Sequence, residues 1–195
     1  KNIPPGAGLG GGSSNAAVTL MAVNDLYDLN LSPSRLEALG AELGADVPFF
    51  IRGGTQLGEG IGERLTPLSR PLPGVLVLVL PPVAVNTAWA YSQVKTVWTN
   101  PRPQPNFAGV FQDEKFAYTI FENDFERIVI PAYPEIGRIK QGLIQAGAVF
   151  ASLSGSGSTV YGIFNDEASA RKAELTLRPH GRTLLAHPVH RHPDL

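Results

Sequence analysis

Apolar residues follow two different patterns along this chain. In residues 16–29 and 36–43 they recur every three or four positions, which predicts two helices with one apolar face each. Residues 75–80 are instead a continuous apolar run, which is typical of a buried strand. Three prolines in residues 67–73 separate the two regions, and prolines at such density interrupt regular structure. The pattern therefore predicts a domain boundary in this stretch.

Beyond the boundary the pattern predicts strands and helices in the order β-α-β-β-α-β, once additional helices are set aside. This order is that of the ferredoxin-like split arrangement. We therefore expect an α+β fold with two domains, residues 1–70 and residues 71–195. The predicted strands are residues 75–80, 148–153, 159–164 and 183–189, and the predicted helices are residues 87–97, 122–130, 135–146 and 167–177, with a proline-rich loop in residues 100–106.

Capping residues indicate where the second helix of the first domain begins and ends. Ser32 suits the N-cap position and Pro33 the first helical position, while Ser34 and Glu37 form an alternative capping box. Gly44 is suited to end the helix.

The first domain is expected to finish with a hairpin. Residues 55–65 alternate glycines with polar and apolar residues, which predicts two short strands and a tight turn. Glu59 and Glu63 in this segment could be paired acids or metal ligands. We interpret them as exposed charges of a hairpin, because surface positions are where glutamate is ordinarily found.

Composition narrows the function classes. The chain has 195 residues, 43% hydrophobic and 17% charged, with a formal net charge of −1, which are the proportions of an ordinary globular protein. There is no basic excess of the kind that nucleic-acid binding requires, and the apolar run in residues 75–85 is too short to span a membrane. Without cysteine there are no disulfides or thiolate metal sites. The histidine-rich residues 187–192 have only Asp194 as a nearby acid, so no protein-held metal is predicted.

Residues 4–14 form a glycine-rich loop that runs directly into the first predicted helix. Glycine has no Cβ, so its backbone N–H groups can approach a ligand closely. At the start of a helix such groups add to the positive end of the helix dipole and favour an anion. Ser13, Ser14 and Asn15 are expected to cap the helix, and the two serine hydroxyls to reach phosphate or a metal. A flexible linker is the alternative, but a linker would not lead into a periodic apolar helix. The loop therefore predicts a polyphosphate site.

Two common nucleotide motifs do not account for this loop. Gly6, Gly8 and Gly11 satisfy G-x-G-x-x-G, but that fingerprint needs a buried strand before it and an acidic residue about 20 positions later. Pro4 and Pro5 directly precede the loop and are unsuited to a central strand. The P-loop pattern fails as well, because no lysine follows the glycines.

Three segments in this order resemble the GHMP small-molecule kinases: residues 5–17, 43–50 and 152–158. Together they extend over most of the chain. The form Gly10-Gly11-Gly12-Ser13-Ser14-Asn15 resembles the branch that acts on 4-diphosphocytidyl-2-C-methyl-D-erythritol in the non-mevalonate isoprenoid pathway. The resemblance implies a first domain like ribosomal S5 domain 2, here incomplete, and a ferredoxin-like second domain.

The resemblance also implies an activity, the ATP-dependent phosphorylation of the 2-hydroxyl of that substrate, with Mg²⁺ as the metal that accompanies ATP. Another GHMP kinase, of mevalonate or homoserine type, is the alternative within the family. A non-catalytic nucleotide-binding relative, which would keep the loop but lose the catalytic acid, is the alternative from a different functional class. The ATP-binding residues that the resemblance implies are Pro4, Pro5, Gly6, Ala7, Gly8, Leu9, Gly10, Gly11, Gly12, Ser13 and Ser14.

Asp46 matches the catalytic aspartate of the family. It lies between the glycine that ends the second helix and an apolar run in residues 47–51, where we expect the carboxylate to be partly buried. A cap is the alternative, in which Asp46 accepts backbone N–H bonds at a new turn. Both roles are compatible, because a held carboxylate is also well oriented.

Thr87, Tyr91 and the turn Gly155-Ser156-Gly157 match substrate-binding positions of the family. Without the resemblance, Thr87 and Tyr91 would be a helix cap and a core aromatic residue, and the turn a plain hairpin connection. The resemblance implies that Thr87 holds the cytidine-bearing substrate, that Tyr91 stacks on the base and that the turn packs near the phosphate loop.

Members of the family have a large segment before the position at which this sequence opens, with a Pro-Ala-Lys-type motif whose lysine assists catalysis. We therefore expect this chain to be the later part of a kinase and to be inactive alone. The expected partner is a small-molecule substrate, with no nucleic acid or membrane, and the expected assembly is a monomer or weak homodimer. The bacterial cytoplasm is the expected compartment, with a plastid as the alternative.

Overall fold

The computed structural model describes residues 3–68, 70–97, 107–111 and 116–189, apart from the side chains of residues 95–97 and 108. The predicted loop in residues 100–106 and most of the histidine-rich tail lie outside the described residues. Two compact units are present. The sheet unit contains the described residues among 1–9, 73–106 and 116–188, and the hairpin unit those among 10–72, 107–115 and 189–195.

The change of unit along the chain falls between Leu72 and Pro73, close to the proline-rich stretch that predicted a boundary. Residues 3–9 nevertheless group with the sheet unit, so the glycine loop is divided after Leu9. The division into domains 1–70 and 71–195 stays a prediction.

Eight α-helices and six strands are present in the described part of the chain, with short 3-10 turns at Tyr118–Ile120 and Arg178–His180. In chain order they are α1 (Gly11–Leu26), α2 (Pro33–Leu43), α3 (Val47–Arg52), β1 (Gln56–Glu59), β2 (Arg64–Pro67), β3 (Val75–Leu80), α4 (Thr87–Val97), α5 (Phe107–Val110), α6 (Glu126–Ala132), α7 (Pro134–Gln145), β4 (Phe150–Leu153), β5 (Val160–Phe164), α8 (Glu167–Leu177) and β6 (Arg182–Ala186).

In the hairpin unit, α1, α2 and α3 enclose a small core of Ala17, Met21, Leu36, Val47 and Ile51. These side chains come from one face of each helix, as the helical spacing of apolar residues predicts. Beside the helices, β1 and β2 pair antiparallel as the predicted hairpin.

The capping prediction for α2 is confirmed. The Ser32 hydroxyl accepts a hydrogen bond from the amide of Arg35, and Pro33 occupies the first helical position. The alternative cap, Ser34, lies inside the helix. The apolar run after Asp46 forms the short helix α3, with Pro48 in its first turn, where a missing N–H costs nothing.

In the sheet unit, four antiparallel strands lie in the order β4-β5-β3-β6. With the intervening helices this is the ferredoxin-like arrangement that the sequence predicted. Val77 and Val79 of β3 point to the same side of the sheet, because side chains alternate along a strand. They pack there with Ile136 and Leu143 of α7 and Leu177 of α8, all of them buried.

One helix begins later than predicted. The pattern placed a helix in residues 122–130, but α6 starts at Glu126. Asn123 terminates the preceding segment, because its side-chain oxygen accepts a hydrogen bond from the amide of Phe125, 3.0 Å away. Such a local bond competes with helix formation. In the part of the chain that the structure describes, no helix is long and apolar enough to cross a membrane.

Candidate active site

The first part of the glycine loop, residues 4–9, packs on the turn between β4 and β5. The Ser154 hydroxyl donates to the carbonyl oxygen of Gly8 over 2.7 Å, and the Thr159 amide donates to the carbonyl oxygen of Ala7 over 3.2 Å. Gly8 has a φ of +73°, and an added Cβ would lie 2.0 Å from the carbonyl oxygen of Ser154. Only glycine therefore fits here, and the predicted packing of the third motif near the loop is present in the sheet unit.

The second part of the loop forms the first turn of α1. Gly10 is the N-cap in the left-handed conformation, with φ +62°, and the amide of Ser14 makes the first helical bond to its carbonyl oxygen, 2.9 Å away. The amides of Gly11, Gly12 and Ser13 are the ones that a helix leaves without intrahelical partners. They are arranged as donors at the positive end of the dipole of a 16-residue helix.

The predicted capping role of Ser13, Ser14 and Asn15 is wrong. All three residues lie inside α1, which begins at Gly11 rather than at the predicted residue 16. Glycine and serine are weak helix formers, so the pattern alone did not extend the helix over them. As a result the Ser13 and Ser14 side chains are on the first helical turn, beside the free amides.

Asp46 occupies the N-cap position of α3, but its side chain makes no capping hydrogen bond. The capping alternative is therefore not found. The expected partial burial is also wrong, because Asp46 is exposed while Val47 and Pro48 after it are buried. Its Oδ1 atom lies near the turn between β1 and β2, 3.9 Å from the position that a Cβ on Gly62 would take. The carboxylate thus projects from the hairpin unit without a structural bond of the kind a cap would make.

Thr87 and Ser156 are brought together in the sheet unit. Their hydroxyl oxygens are 3.1 Å apart, although 69 residues separate them in sequence. Thr87 does not cap α4, since Asn86 does so by accepting a hydrogen bond from the amide of Trp89. The capping role that the sequence pattern gives to Thr87 is therefore taken by Asn86.

Tyr91 lies one turn after Thr87 on α4 and is 58% exposed, so it is not a core aromatic residue. Its ring contacts Phe125 edge to face, with the ring centroids 4.9 Å apart. This contact holds the Tyr91 ring on one side, while more than half of the residue stays accessible.

Two residues that sequence reasoning missed surround the β4–β5 turn. The Asn123 side chain donates to the carbonyl oxygens of Leu153 and Gly155, each 2.8 Å away. The Glu126 carboxylate accepts from the amide of Leu153, 2.9 Å away, and from the Ser152 hydroxyl, 3.0 Å away. Asn123 is a frequent turn residue and could have been recognised as a break in the predicted helix, but its distant partners could not.

An open cavity of about 520 Å³ adjoins the same turn in the sheet unit. Phe121, Phe150 and Tyr161 form its aromatic wall, and Asn123 and Gly155 contribute polar backbone and side-chain atoms. Burial raises the pKa of the Tyr161 phenol, and the hydrogen bond with Ser152 partly offsets this change. Tyr161 is therefore a neutral hydrogen-bonding group at neutral pH.

The predicted site residues thus fall into two groups, one in each unit. Residues 6–9, Thr87 and the turn at 155–157 lie together in the sheet unit, while residues 10–14 and Asp46 lie in the hairpin unit. Pro4 and Pro5 are exposed at the start of the loop. Within the described residues no group of three or more acids or histidines could hold a metal ion. The roles of all these residues stay predictions.

Comparison with known proteins identifies the family. Residues 1–54 match the model of the GHMP kinases N terminal domain, and residues 114–182 match that of the GHMP kinases C terminal domain. The chain is 48% identical over 177 residues to 4-diphosphocytidyl-2-C-methyl-D-erythritol kinase of Geobacter sulfurreducens, which covers 90% of this chain and 62% of the relative. The corresponding kinase of Chloroherpeton thalassium is 45% identical over 176 residues, covering 87% and 61%. The chain therefore spans about three fifths of the length of these relatives.

Solved structures agree with the sequence relatives. A crystal structure of 4-(cytidine 5'-diphospho)-2C-methyl-D-erythritol kinase superposes with a TM-score of 0.79 and 35% identity, covering 95% of this chain and 67% of that one. Homoserine kinase from Cytophaga hutchinsonii superposes with a TM-score of 0.77 at 18% identity, covering 98% and 69%, which shows a shared fold. By its sequence and its architecture, this chain belongs to the GHMP kinases.

Proposed function

We propose that the complete natural protein transfers the γ-phosphoryl group of ATP to the 2-hydroxyl of 4-diphosphocytidyl-2-C-methyl-D-erythritol, a step of isoprenoid precursor synthesis. The observation that carries this proposal is the 48% identity, over 90% of the chain, to a kinase named for that substrate. Two close contacts in the loop also support it: Gly8 against the backbone of Ser154, and Gly10 against the ring of Phe50. Both need glycine, and they build a backbone cradle of the kind that phosphoryl transfer requires.

The loop is the proposed site for the phosphates. The free amides of Gly11, Gly12 and Ser13 donate to phosphate oxygens, and the dipole of α1 favours their negative charge. Residues 4–9 precede these amides along the chain, and within the sheet unit they are held by the bonds from Ser154 and Thr159. Because phosphoryl transfer needs positioning and charge neutralisation more than covalent chemistry, a preformed loop is the main contribution of the protein.

Asp46 is the proposed general base. An exposed carboxylate with no capping bond keeps both oxygens available to a substrate hydroxyl. It would orient the 2-hydroxyl for in-line attack and accept its proton as the phosphoryl group is transferred. General-base help of this kind is worth roughly 10²–10⁴ in rate.

Thr87, Ser156 and Tyr91 are the proposed contacts for the cytidine diphosphate part of the substrate. The Thr87 and Ser156 hydroxyls are already paired, so a ligand can receive one hydrogen bond from the pair without either oxygen losing its partner. The accessible Tyr91 ring offers a surface for stacking a base. Gly155 and Gly157 keep the backbone of the turn open to close approach.

The residues present fit a Mg²⁺ ion that arrives with the nucleotide. Mg²⁺ keeps several waters and needs one or two protein oxygens besides the phosphates, so the absence of an acidic cluster among the described residues is compatible with it. The hydroxyls of Ser13 and Ser14 on the first turn of α1 would be its protein ligands. The ion would supply neutralisation of the charge on the phosphates.

The proposal is tested by phosphorylation assays with the complete natural protein. The protein is incubated with ATP, Mg²⁺ and one alcohol at a time: 4-diphosphocytidyl-2-C-methyl-D-erythritol, mevalonate or homoserine. We expect phosphorylation of the first alcohol alone, with the new phosphomonoester on its 2-oxygen by phosphorus NMR. Phosphorylation of one of the other two instead would assign the protein to that kinase, and ATP binding with no transfer would indicate a non-catalytic relative.

We further propose that the protein works in the bacterial cytoplasm as a monomer or a weak homodimer, with small molecules as its ligands. The bacterial relatives support the first part of this proposal. Sedimentation equilibrium over a concentration series would measure the assembly.

A further inference from the structure

In the part of the chain that the structure describes, strand β4 lies at the edge of the four-stranded sheet and pairs with β5 alone. Leu153 is the last residue of β4 and pairs in register with Val160. The next residue, Ser154, turns its amide toward β5 and donates to the carbonyl oxygen of Thr159 over 2.8 Å. In an antiparallel ladder alternate residues face opposite sides, so the N–H and C=O of Leu153 point away from the sheet.

The outward backbone groups of Leu153 are both bound by side chains at the start of α6. The Glu126 carboxylate accepts from the Leu153 amide, 2.9 Å away, and the Asn123 amide donates to its carbonyl oxygen, 2.8 Å away. These are the two bonds that a further strand would make. Asn123 and Glu126 therefore cover the sheet edge at Leu153, the last residue of β4 before the glycine turn.

The side chain of Asn123 binds the turn as well as the end of β4. The same amide nitrogen also donates to the carbonyl oxygen of Gly155, 2.8 Å away, so the two carbonyls on either side of Ser154 are tied to one side chain. Ser154 in turn donates its hydroxyl to the carbonyl oxygen of Gly8. A single polar chain of contacts thus runs from Asn123 through the turn to the glycine loop.

Glu126 is itself held in place. Its side chain is only 15% exposed, and one carboxylate oxygen accepts from Ser152 as well as from Leu153. The other oxygen is paired with the ammonium group of Lys140, 2.5 Å away. A largely buried carboxylate with all these partners is held in one orientation, so it can fix the end of β4 that it binds.

From these contacts we propose that Asn123 and Glu126 are positioning residues, which hold the turn at residues 154–157 where it supports the glycine loop and Thr87. In this proposal they act through the turn rather than by direct contact with nucleotide or alcohol. This inference rests on the proposed function, because it assigns the two residues to the support of that same site.

The sharpest test is Asn123→Asp, which keeps the side-chain oxygen that accepts from Phe125 but replaces the donor by an acceptor facing two carbonyls. Two hydrogen bonds are lost, so we expect the Kd for ATP, measured by calorimetry, to rise roughly tenfold or more.

The matched control is Asn24→Asp in α1. Asn24 accepts from the amide of Leu31, and the substitution adds the same charge while keeping that bond. Its ATP affinity should stay at the wild-type value.

Glu126 is tested by comparing two substitutions. Glu126→Gln keeps an oxygen for the Leu153 amide, so ATP affinity should stay within about threefold of wild type. Glu126→Ala removes the acceptor and should resemble Asn123→Asp. Glu167→Ala is the control, since Glu167 also begins a helix and pairs with a basic residue, Arg171, but binds no strand.

A double-mutant cycle separates positioning from general stability. If Asn123 acts through the turn, Asn123→Asp and Ser154→Ala should together weaken ATP binding no more than the stronger single substitution does. All affinities are measured well below the thermal unfolding midpoint of each variant. Fully additive effects on ATP affinity would overturn the proposal, and so would a lowered midpoint with unchanged affinity.

ATP affinity and phosphorylation of the alcohols test the two proposals separately. If the wild-type protein binds ATP but phosphorylates none of the alcohols, the proposed function fails while the ATP affinities still decide the roles of Asn123 and Glu126. If the wild-type protein binds no ATP, both proposals are wrong.

Discussion

Gly8 has the least space for a side chain among the described glycines. An added Cβ would lie 2.0 Å from the carbonyl oxygen of Ser154 and 2.8 Å from that of Gly157, whereas ordinary contacts begin at 3.4 Å. Gly8→Ala would therefore displace the loop from the turn by more than 1 Å. The loop, rather than the strand ends that carry the turn, is the part that can move, because the turn is also held by Asn123.

The cost of this displacement has two sources. A non-glycine residue in the left-handed conformation costs roughly 1–2 kcal/mol. The bonds from Ser154 to Gly8 and from Thr159 to Ala7 are worth roughly 0.5–1.5 kcal/mol each, and both are broken when the loop leaves. The strain and the two lost hydrogen bonds together cost roughly 2–5 kcal/mol. A cost of about 2 kcal/mol already corresponds to a loss of about 30-fold in ligand affinity.

The assay is calorimetric titration of ATP into the complete natural protein and its Gly8→Ala variant, with thermal unfolding followed in parallel. The matched control is Gly147→Ala. Gly147 has a φ of +100°, so alanine is strained there too, but no described atom other than those of its chain neighbours lies within 4 Å of its added Cβ. We expect both variants to lose stability from strain and Gly8→Ala alone to lose ATP affinity.

Two results would refute this reasoning. Unchanged ATP affinity in Gly8→Ala would mean that the loop position at residue 8 has no part in nucleotide binding. An equal loss of affinity in Gly147→Ala would mean that general destabilisation, rather than the clash with the turn, weakens the site.

Three further predictions follow from the loop, the acid and a helix cap. Asp46→Asn should lower kcat about 10²–10⁴-fold with unchanged ATP affinity, and a fully active variant would exclude Asp46 as the base. Apart from its neighbours and the nearby backbone of α1, an added Cβ at Gly12 meets no described atom within 4 Å, and valine replaces a poor helix former, so the thermal stability of Gly12→Val should hold. The valine side chain should block phosphate, and unweakened ATP binding by calorimetry would contradict the cradle. Asp166 caps α8, and its hydrogen bond from the Ser169 amide lowers its pKa. Its stabilising effect is therefore full above the unfolded pKa of about 3.9 and lost as pH falls through the lower folded value. The thermal midpoint should thus fall less on acidification in Asp166→Asn, which keeps a neutral cap, and identical pH profiles would show that the cap does not contribute.

Elements with strong local signals were predictable from the sequence. Residues 75–80 and 167–177 form β3 and α8 with the predicted bounds, because a continuous apolar run and a helical apolar stripe after a clear N-cap each favour one conformation. The cap of α2 at Ser32 is of the same kind, since the bond that makes it joins residues three apart. The composition of the glycine loop likewise indicated a backbone site near the start of the chain.

Contacts between distant residues were decided only by the tertiary structure. The start of α1 at Gly11 depends on a left-handed Gly10 against the ring of Phe50, and local propensity opposes a helix there. Asp46 is exposed because its neighbours Val47 and Pro48 take the buried positions, which no pattern in the nearby sequence specifies. The partners of Asn123 lie 30 and 32 residues away. Sequence by itself therefore determined the elements and the chemistry available to this protein, while the folded chain decided which groups meet, because hydrogen bonds and packing act over distances in space that spacing along the chain does not encode.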